Sequence, residues 1–140
     1  MQEVLGKLQT CQADFLDLVD QDAKVFAPLA AAYALPTSTE EEKQEKARIM
    51  EERLLAASLV PLHMMEKAAE MLEFLEILAE KGSRMAVSDV GVAVQFARTA
   101  LTGAIMNVYI NTKSMKNREK GRRTEYKSKR PDETGNQTGR

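Results

Sequence analysis

The sequence predicts an all-α protein, a single-domain bundle of long antiparallel helices. Apolar residues recur in steps of three and four over three long stretches, the spacing that places them along one side of a helix. Short segments with proline or glycine separate these stretches, as expected of helix ends. Aromatic residues make up only 5% of the 140 and tryptophan is absent, whereas strands favour aromatic and β-branched residues. With 44% hydrophobic residues, the chain can bury one core.

The first helix is predicted over residues 2–33, and its apolar stripe contains a carboxylate. The helical step between Leu18 and Val25 falls on Asp22. A carboxylate among apolar neighbours has to be ion-paired, hydrogen-bonded or partly protonated. Two interpretations follow, and the pattern favours neither. Asp22 is either poised for proton transfer or forms a structural ion pair with Arg98 or a nearby lysine.

The second helix is predicted between a capping box at Ser38 and Glu41 and a stop at Gly82. Within it, two sets of residues each repeat every seven positions, which is typical of a helix that packs along one seam. The pattern fits one long helix or two helices joined at a proline. The two sets are Met50, Ala57, Met64, Met71 and Leu78, and Leu54, Pro61, Ala68 and Leu75.

The third helix is predicted to be capped by Ser88, and between Val90 and Thr112 its only charged residue is Arg98. A helix that is apolar nearly all round is expected to be buried. The rest of the chain offers too little cover for such a helix. We therefore expect a homodimer or a larger assembly.

Three polar residues of the third helix are candidate ligand contacts. Asn107 and Asn111 lie four residues apart and share a face, where their amides either orient a polar ligand or make an interhelical hydrogen bond. The pattern alone favours the hydrogen bond. Asp89 lies in the first turn, where it either supports the helix N-terminus or belongs to a binding site, and the pattern alone favours the support of the helix.

The end of the chain is basic. Residues 113–140 carry ten basic and four acidic side chains, whereas residues 1–112 carry ten basic and 17 acidic ones. Residues 117–140 contain few apolar side chains, so we expect a disordered tail after a helical domain at residues 1–116. The tail is either an arm for nucleic acid or another anionic surface, or a solvated end without a partner. We favour the solvated end and expect no nucleic-acid partner.

The remaining features narrow the class of protein. Cys11 is the single cysteine and cannot form an intramolecular disulfide, and no unbroken apolar run reaches the roughly 18 residues of a membrane span. We therefore predict a cytoplasmic protein without membrane contact. No glycine-rich phosphate loop or cluster of metal ligands is evident, so we expect neither a metal nor a bound cofactor.

Five segments, taken in order, resemble the formimidoyltetrahydrofolate cyclodeaminase/methenyltetrahydrofolate cyclohydrolase family. Each segment alone is short, but their order and intervals are similar to the family over about residues 1–116. They are LVDQDAKVF at residues 18–26, the LP stop and its Thr- and Glu-rich continuation at residues 35–42, VPL at residues 60–62, AVSDVGVA at residues 86–93 and GAIMNVYIN at residues 103–111.

The resemblance implies an all-helical domain that dimerises and binds a reduced folate as its substrate. It also implies one of two reactions, the release of ammonia from a formimidoyl group or the opening of a methenyl bridge by water. In the family, the second Asp of the Asp-x-Asp-x-x-x-Phe segment is the proton acceptor, and this position is Asp22. Asp89, Asn107 and Asn111 then become candidates for orienting the substrate.

Two departures from the family accompany the resemblance. The family has a Gly-Gly-Gly-Ser loop that helps to form the folate site, and this sequence starts downstream of it. The family also continues into another amphipathic helix where this sequence becomes basic. We therefore expect little turnover from the chain alone. The alternative function is a catalytically silent helical dimerisation module, which the heptads of the second helix also fit.

Overall fold

The structure, a computed structural model, describes residues 1–129 and contains four α-helices and one short 3₁₀ helix. The α-helices are α1 (Gln2–Tyr33), α2 (Glu40–Lys81), α3 (Val87–Lys113) and α4 (Arg118–Lys129), and the 3₁₀ helix is Arg84–Ala86. No strand occurs in this part of the chain, so the all-α prediction is confirmed. None of the described helices is long and apolar enough to cross a membrane.

The long helix α2 lies between α1 and α3 and contacts both, whereas α1 and α3 do not contact each other. Helix α1 runs antiparallel to α2, because Asp14 in its first half pairs with Lys67 in the second half of α2, while Leu29 near its end packs on Leu54 in the first half of α2. Helix α3 is also antiparallel to α2, and its C-terminal half packs on the middle of α2.

The heptad pattern correctly identifies the packed side of α2. Pro61 does not divide this helix in two, and the four residues of the set that contains it are all buried. Two clusters of buried side chains form the core and follow one another along α2. One consists of Leu29, Leu54, Ala57 and Met115, and the other of Leu62, Met65, Ala104 and Val108.

Local hydrogen bonds define the helix ends, and two predicted caps are displaced. The capping box of α2 uses Thr39 and Glu42, one residue after the predicted pair. Helix α3 begins before Ser88 and has no side-chain cap, because the preceding 3₁₀ helix is capped instead by the Ser83 hydroxyl. Helix α2 ends at Gly82 as predicted. An added Cβ there would collide with the carbonyl oxygen of Leu78.

Helix α3 is not buried all round within the chain. Its packed side faces α2 through Ala97, Ala104 and Val108, and its outer side is exposed although it is apolar. The prediction of an all-round buried helix is therefore wrong for the described single chain. An apolar helix surface is more stable when another surface packs on it, but the composition of the helix does not show that the same chain provides that surface. The exposed outer residues are Val92, Phe96, Met106 and Ile110.

The segment after residue 117 differs from the predicted disordered tail, because residues 118–129 form helix α4. Its buried side consists of the small residues Gly121, Thr124 and Ser128, which allow close approach to α3. A search for large apolar residues cannot detect such a face. The rest of the predicted tail, residues 130–140, lies outside the described residues.

Polar contacts fasten α4 to α2 and α3. The Glu51 carboxylate of α2 accepts the backbone N–H groups of Lys116 and Asn117 at 2.8 and 2.9 Å, at the positive N-terminus of α4. On the other side, the Thr112 hydroxyl donates to the Glu125 carboxylate at 2.7 Å. The Arg118 guanidinium donates to the carbonyl of Thr112 at 2.6 Å.

Candidate functional site

Asp22 lies on the outer side of α1 and not on its buried seam. Between Leu18 and Val25, residues 21 and 22 fit the helical spacing equally well, and the structure turns Gln21 towards α2 while Asp22 is exposed. The expected apolar burial of Asp22 is therefore absent from the single chain. The alternative of an ion pair with Arg98 is not observed either, since α1 and α3 do not touch. Among the described residues, no salt bridge involves Asp22.

The surroundings of Asp22 are nevertheless apolar. Val19 precedes it by one helical turn and Phe26 follows it by one turn, and both side chains are more than 60% exposed. They belong to an exposed stripe along α1 that also contains Leu16 and Tyr33. A carboxylate within an apolar surface loses its hydration as soon as another surface covers the stripe.

Asp22 lies at the middle of the bundle, level with the proline of α2. It is about midway along α1 between Asp14 and Leu29, which contact Lys67 and Leu54 of α2 respectively. The midpoint between Lys67 and Leu54 is close to Pro61. Because both helices advance by the same rise per residue, Asp22 and Pro61 lie at about the same height in the bundle.

Asn107 and Asn111 lie at the same level, on the far side of α2. Asn111 is hydrogen-bonded to Ala57, one turn before Pro61, and Val108 packs in a cluster with Leu62. The structure thus brings the two asparagines and Asp22 to one level of the bundle. It does not bring them into contact, because the intervening helix α2 separates α1 from α3.

Asp89 lies far from this level. It is exposed in the first turn of α3, 18 residues before Asn107. At the rise of an α-helix this separation is about 27 Å. Asp89 and Asn107 therefore lie far apart within the described chain, and the assignment of Asp89 to the substrate site stays a prediction.

Asn111 makes the interhelical hydrogen bond that was one of its two interpretations. Its side-chain amide nitrogen donates to the backbone carbonyl of Ala57 in α2 at 3.1 Å. The side chain is half-buried, whereas Asn107 is exposed. The two amides therefore differ, since the donor of Asn111 is engaged by the fold and Asn107 faces solvent.

An ion-pair network between α1 and α2 was not predicted from the sequence. Lys67 bonds to the carboxylates of Asp14 and Glu70, each at 2.9 Å, and these hydrogen bonds, Asp14 first, raise the pKa of Lys67. The spacing of Lys67 and Glu70 indicates one half of the network. The contact with Asp14 joins two separate helices and follows only from their packing.

Cys11 and His63 are the single cysteine and the single histidine of the sequence. Cys11 is buried in the α1–α2 contact, and this burial raises the pKa of its thiol, so the residue behaves as core and not as a nucleophile. His63 is exposed on α2. Within residues 1–129, no group of three or more His, Cys, Asp or Glu side chains has an arrangement that could hold a metal ion.

A model of the formiminotransferase-cyclodeaminase family matches residues 1–130. The chain belongs to this family. The match includes the segment around Asp22, both asparagines and helix α4, so the similarity continues past residue 116, where the sequence resemblance was expected to end.

Curated relatives carry the names of both family activities. The chain is 36% identical over 118 residues to a methenyltetrahydrofolate cyclohydrolase of Methylorubrum extorquens, covering 84% of this chain and 57% of that protein. It is 35% identical over 115 residues to a formimidoyltransferase-cyclodeaminase of Mus musculus and 30% identical to that of Gallus gallus, in each case covering 82% of this chain and 21% of the relative. The chain thus spans between about a fifth and about half of the length of these relatives.

Proposed function

We propose that this chain forms part of an enzyme that acts on a tetrahydrofolate derivative. The reaction is either that of a formimidoyltetrahydrofolate cyclodeaminase, which releases ammonia, or that of a methenyltetrahydrofolate cyclohydrolase. The observation that carries the proposal is the family match over residues 1–130, together with the names of the relatives. We propose the folate as substrate and no resident cofactor.

Asp22 is the proposed proton acceptor. In the cyclodeaminase reaction, N10 of the folate attacks the formimidoyl carbon, the new C–N bond closes a five-membered ring, and the amino group leaves as ammonia. N10 loses a proton as the bond forms; the Asp22 carboxylate takes it and gives it to the amino group, which departs as NH3. The exposed apolar stripe around Asp22 supports this role, because covering the stripe removes water from the carboxylate and makes it a stronger proton acceptor.

Asn107 is the proposed contact that orients the substrate, since its exposed amide lies at the level of Asp22 and can both donate and accept. Because α2 separates the two residues within one chain, Asn107 and Asp22 then act on one substrate from different subunits of an assembly. Asn111 lies one turn further along α3, where its amide N–H donates to the carbonyl of Ala57 and so links α3 to α2. Asp89, about 27 Å along α3 from Asn107, can belong to the same binding site only if an extended substrate or another subunit bridges the interval.

We also propose that the chain assembles as a homodimer through the outer sides of α1 and α3. Nine large apolar side chains along these outer sides are more than half exposed. Five of them lie on α1 and four on α3, and because α2 separates these helices, each set is a surface of its own that a second chain can cover. They are Leu5, Leu16, Val19, Phe26, Tyr33, Val92, Phe96, Met106 and Ile110.

A chimeric enzyme tests the proposed function. In it, this chain replaces the region of the Methylorubrum extorquens cyclohydrolase to which it aligns, and both folate substrates are assayed with product identification by mass. We expect turnover of at least one substrate by the chimera and little by the 140-residue chain alone. A folded chimera that turns over neither substrate would exclude the enzymatic proposal.

The second candidate function is a catalytically silent dimerisation module. The same exposed apolar stripes favour it, and it requires no reactive carboxylate. Light scattering together with the chimera assay separates the two functions. A stable dimer combined with an inactive, folded chimera supports the module, whereas an active chimera supports the enzyme. A well-folded monomer at micromolar concentration would contradict the proposed assembly.

A further inference from the structure

Pro61 creates a defect in the middle of α2. In an α-helix, the carbonyl of residue 57 accepts the backbone N–H of residue 61. Proline has no N–H, so α2 cannot supply this bond to Ala57. Ala57 and Pro61 are both buried, and a buried carbonyl without a donor is destabilising.

Asn111 of α3 provides the missing donor. Its side-chain amide nitrogen lies 3.1 Å from the carbonyl oxygen of Ala57, within ordinary hydrogen-bond distance. The bond joins residues 54 positions apart and connects α2 to α3. A side-chain amide therefore stands in for the N–H that residue 61 would supply in an uninterrupted helix.

We propose that Pro61 and Asn111 act as a pair, in which Asn111 replaces the donor that Pro61 lacks and thereby fixes the position of α3 along α2. Asn111 is then a positioning residue. Because Asn107 lies one turn before it on α3, the bond holds Asn107 at the level of Asp22. This last consequence rests on the proposed function, whereas the pairing rests only on the geometry of α2 and α3.

Pro61 leaves the carbonyl of Ala57 without its α-helical donor, so the middle of α2 offers Asn111 an acceptor at one defined position along the helix. The surrounding contacts of Ala104 and Val108 with Leu62 and Met65 are apolar and less directional. The polar bond therefore specifies the register, and the apolar contacts supply cohesion.

A double-mutant cycle on the 140-residue chain tests the pairing. The four proteins are the wild type, Asn111→Leu, Pro61→Ala and the double variant. Leucine has a similar size but no donor, and the Pro61→Ala substitution restores a backbone N–H. We expect Asn111→Leu to raise the unfolding equilibrium constant about tenfold or more in the wild-type background, and about threefold or less in the Pro61→Ala background.

Asn107→Leu is the matched control, because it makes the same chemical change one turn away on the exposed side of α3. Its effect on the unfolding equilibrium is expected to be small, and equal in the wild-type and Pro61→Ala backgrounds. Equal effects of Asn111→Leu in the two backgrounds would overturn the pairing.

A distance measurement tests the positioning role. Spin labels are attached to cysteines introduced at the exposed positions Ala23 and Thr102, while the buried Cys11 stays unlabelled under native conditions. We expect a narrow distance distribution in the wild type, a shifted or broadened one in Asn111→Leu, and a narrow one again in the double variant. An unchanged distribution in Asn111→Leu would overturn the positioning role. Neither measurement uses turnover, so failure of the proposed enzymatic function would be seen separately in the chimera.

Discussion

The two sides of α1 have similar apolar composition and opposite environments. The side towards α2 carries Cys11, Leu18 and Leu29, none of which is more than 6% exposed. The outer side carries Leu16, Val19 and Phe26, all of which are more than 60% exposed. The inner side therefore holds the chain together, whereas the outer side is available to another surface.

Asp22 lies on the outer side, so its apolar neighbours are exposed residues of a surface and not residues of the core. A carboxylate on the inner side would need a partner within the fold. On the outer side it carries no such requirement in the single chain, and it becomes desolvated only when the stripe is covered. The comparison thus separates the residues that stabilise the fold from those proposed to act.

The largest expected effect contrasts two leucines on α1. Leu29→Ala should lower the free energy of unfolding by about 2–4 kcal/mol, because Leu29 belongs to a buried cluster with Leu54 and Met115. Leu16→Ala should change it by less than about 0.5 kcal/mol at dilutions where the chain is monomeric. Denaturant unfolding curves measure both. Equal losses under those conditions would show that the outer side is already packed within one chain.

Two glycine substitutions contrast the end of α2 with the outer side of α3. Gly82→Ala should lower stability by about 1–2 kcal/mol, because the new Cβ meets the Leu78 carbonyl. Gly103→Ala should raise stability by about 0.5–1 kcal/mol, since Gly103 is exposed within α3 with no atom near its Cβ position. Thermal unfolding at low protein concentration measures the loss of stability in Gly82→Ala and the gain in Gly103→Ala. A loss of stability in Gly103→Ala would mean that the outer side of α3 is tightly packed.

The smallest expected effect concerns the network between α1 and α2. Lys67→Met should cost about 1 kcal/mol or less, because all three partners are partly exposed. The pKa of Lys67 is raised in the folded state, so this contribution is complete below the ordinary lysine pKa of about 10.4 and is lost as the pH rises through the higher folded-state pKa.

Unfolding of wild type and Lys67→Met between about pH 7 and pH 10 checks the sign of this linkage. We expect a constant difference in stability between the two proteins over that interval. A difference that disappears before the upper end of the interval would contradict the raised pKa.

The helical pattern predicts the long elements well, because apolar periodicity is a local property of the sequence. The predicted range of the first helix, residues 2–33, agrees with α1, and the heptads identify the packed seam of α2. Helix α4 was missed because its buried face uses Gly121, Thr124 and Ser128, which carry no hydrophobic signal. The many charged and small side chains of this segment predict disorder, and only its packing against α3 shows why it is helical.

The candidate site was harder to predict than the fold. Residues 21 and 22 both fit the seam of α1, and only the packing angle against α2 distinguishes them. The two interpretations of Asn111 depended on a partner 54 residues away, the carbonyl of Ala57. The absence of a donor at Pro61 could have indicated that partner from the sequence, since it leaves a carbonyl in need of one.

Turnover by the chimera with Asp22→Asn tests the proposed proton acceptor most directly, and Asp20→Asn is the matched control. Asp20 is a neighbouring exposed carboxylate on α1 with no proposed role. We expect Asp22→Asn to lower kcat by about 100-fold or more while the free energy of unfolding stays within about 1 kcal/mol, and we expect Asp20→Asn to leave both unchanged. Normal turnover by Asp22→Asn, with or without lowered stability, would contradict the assignment of Asp22 as the proton acceptor.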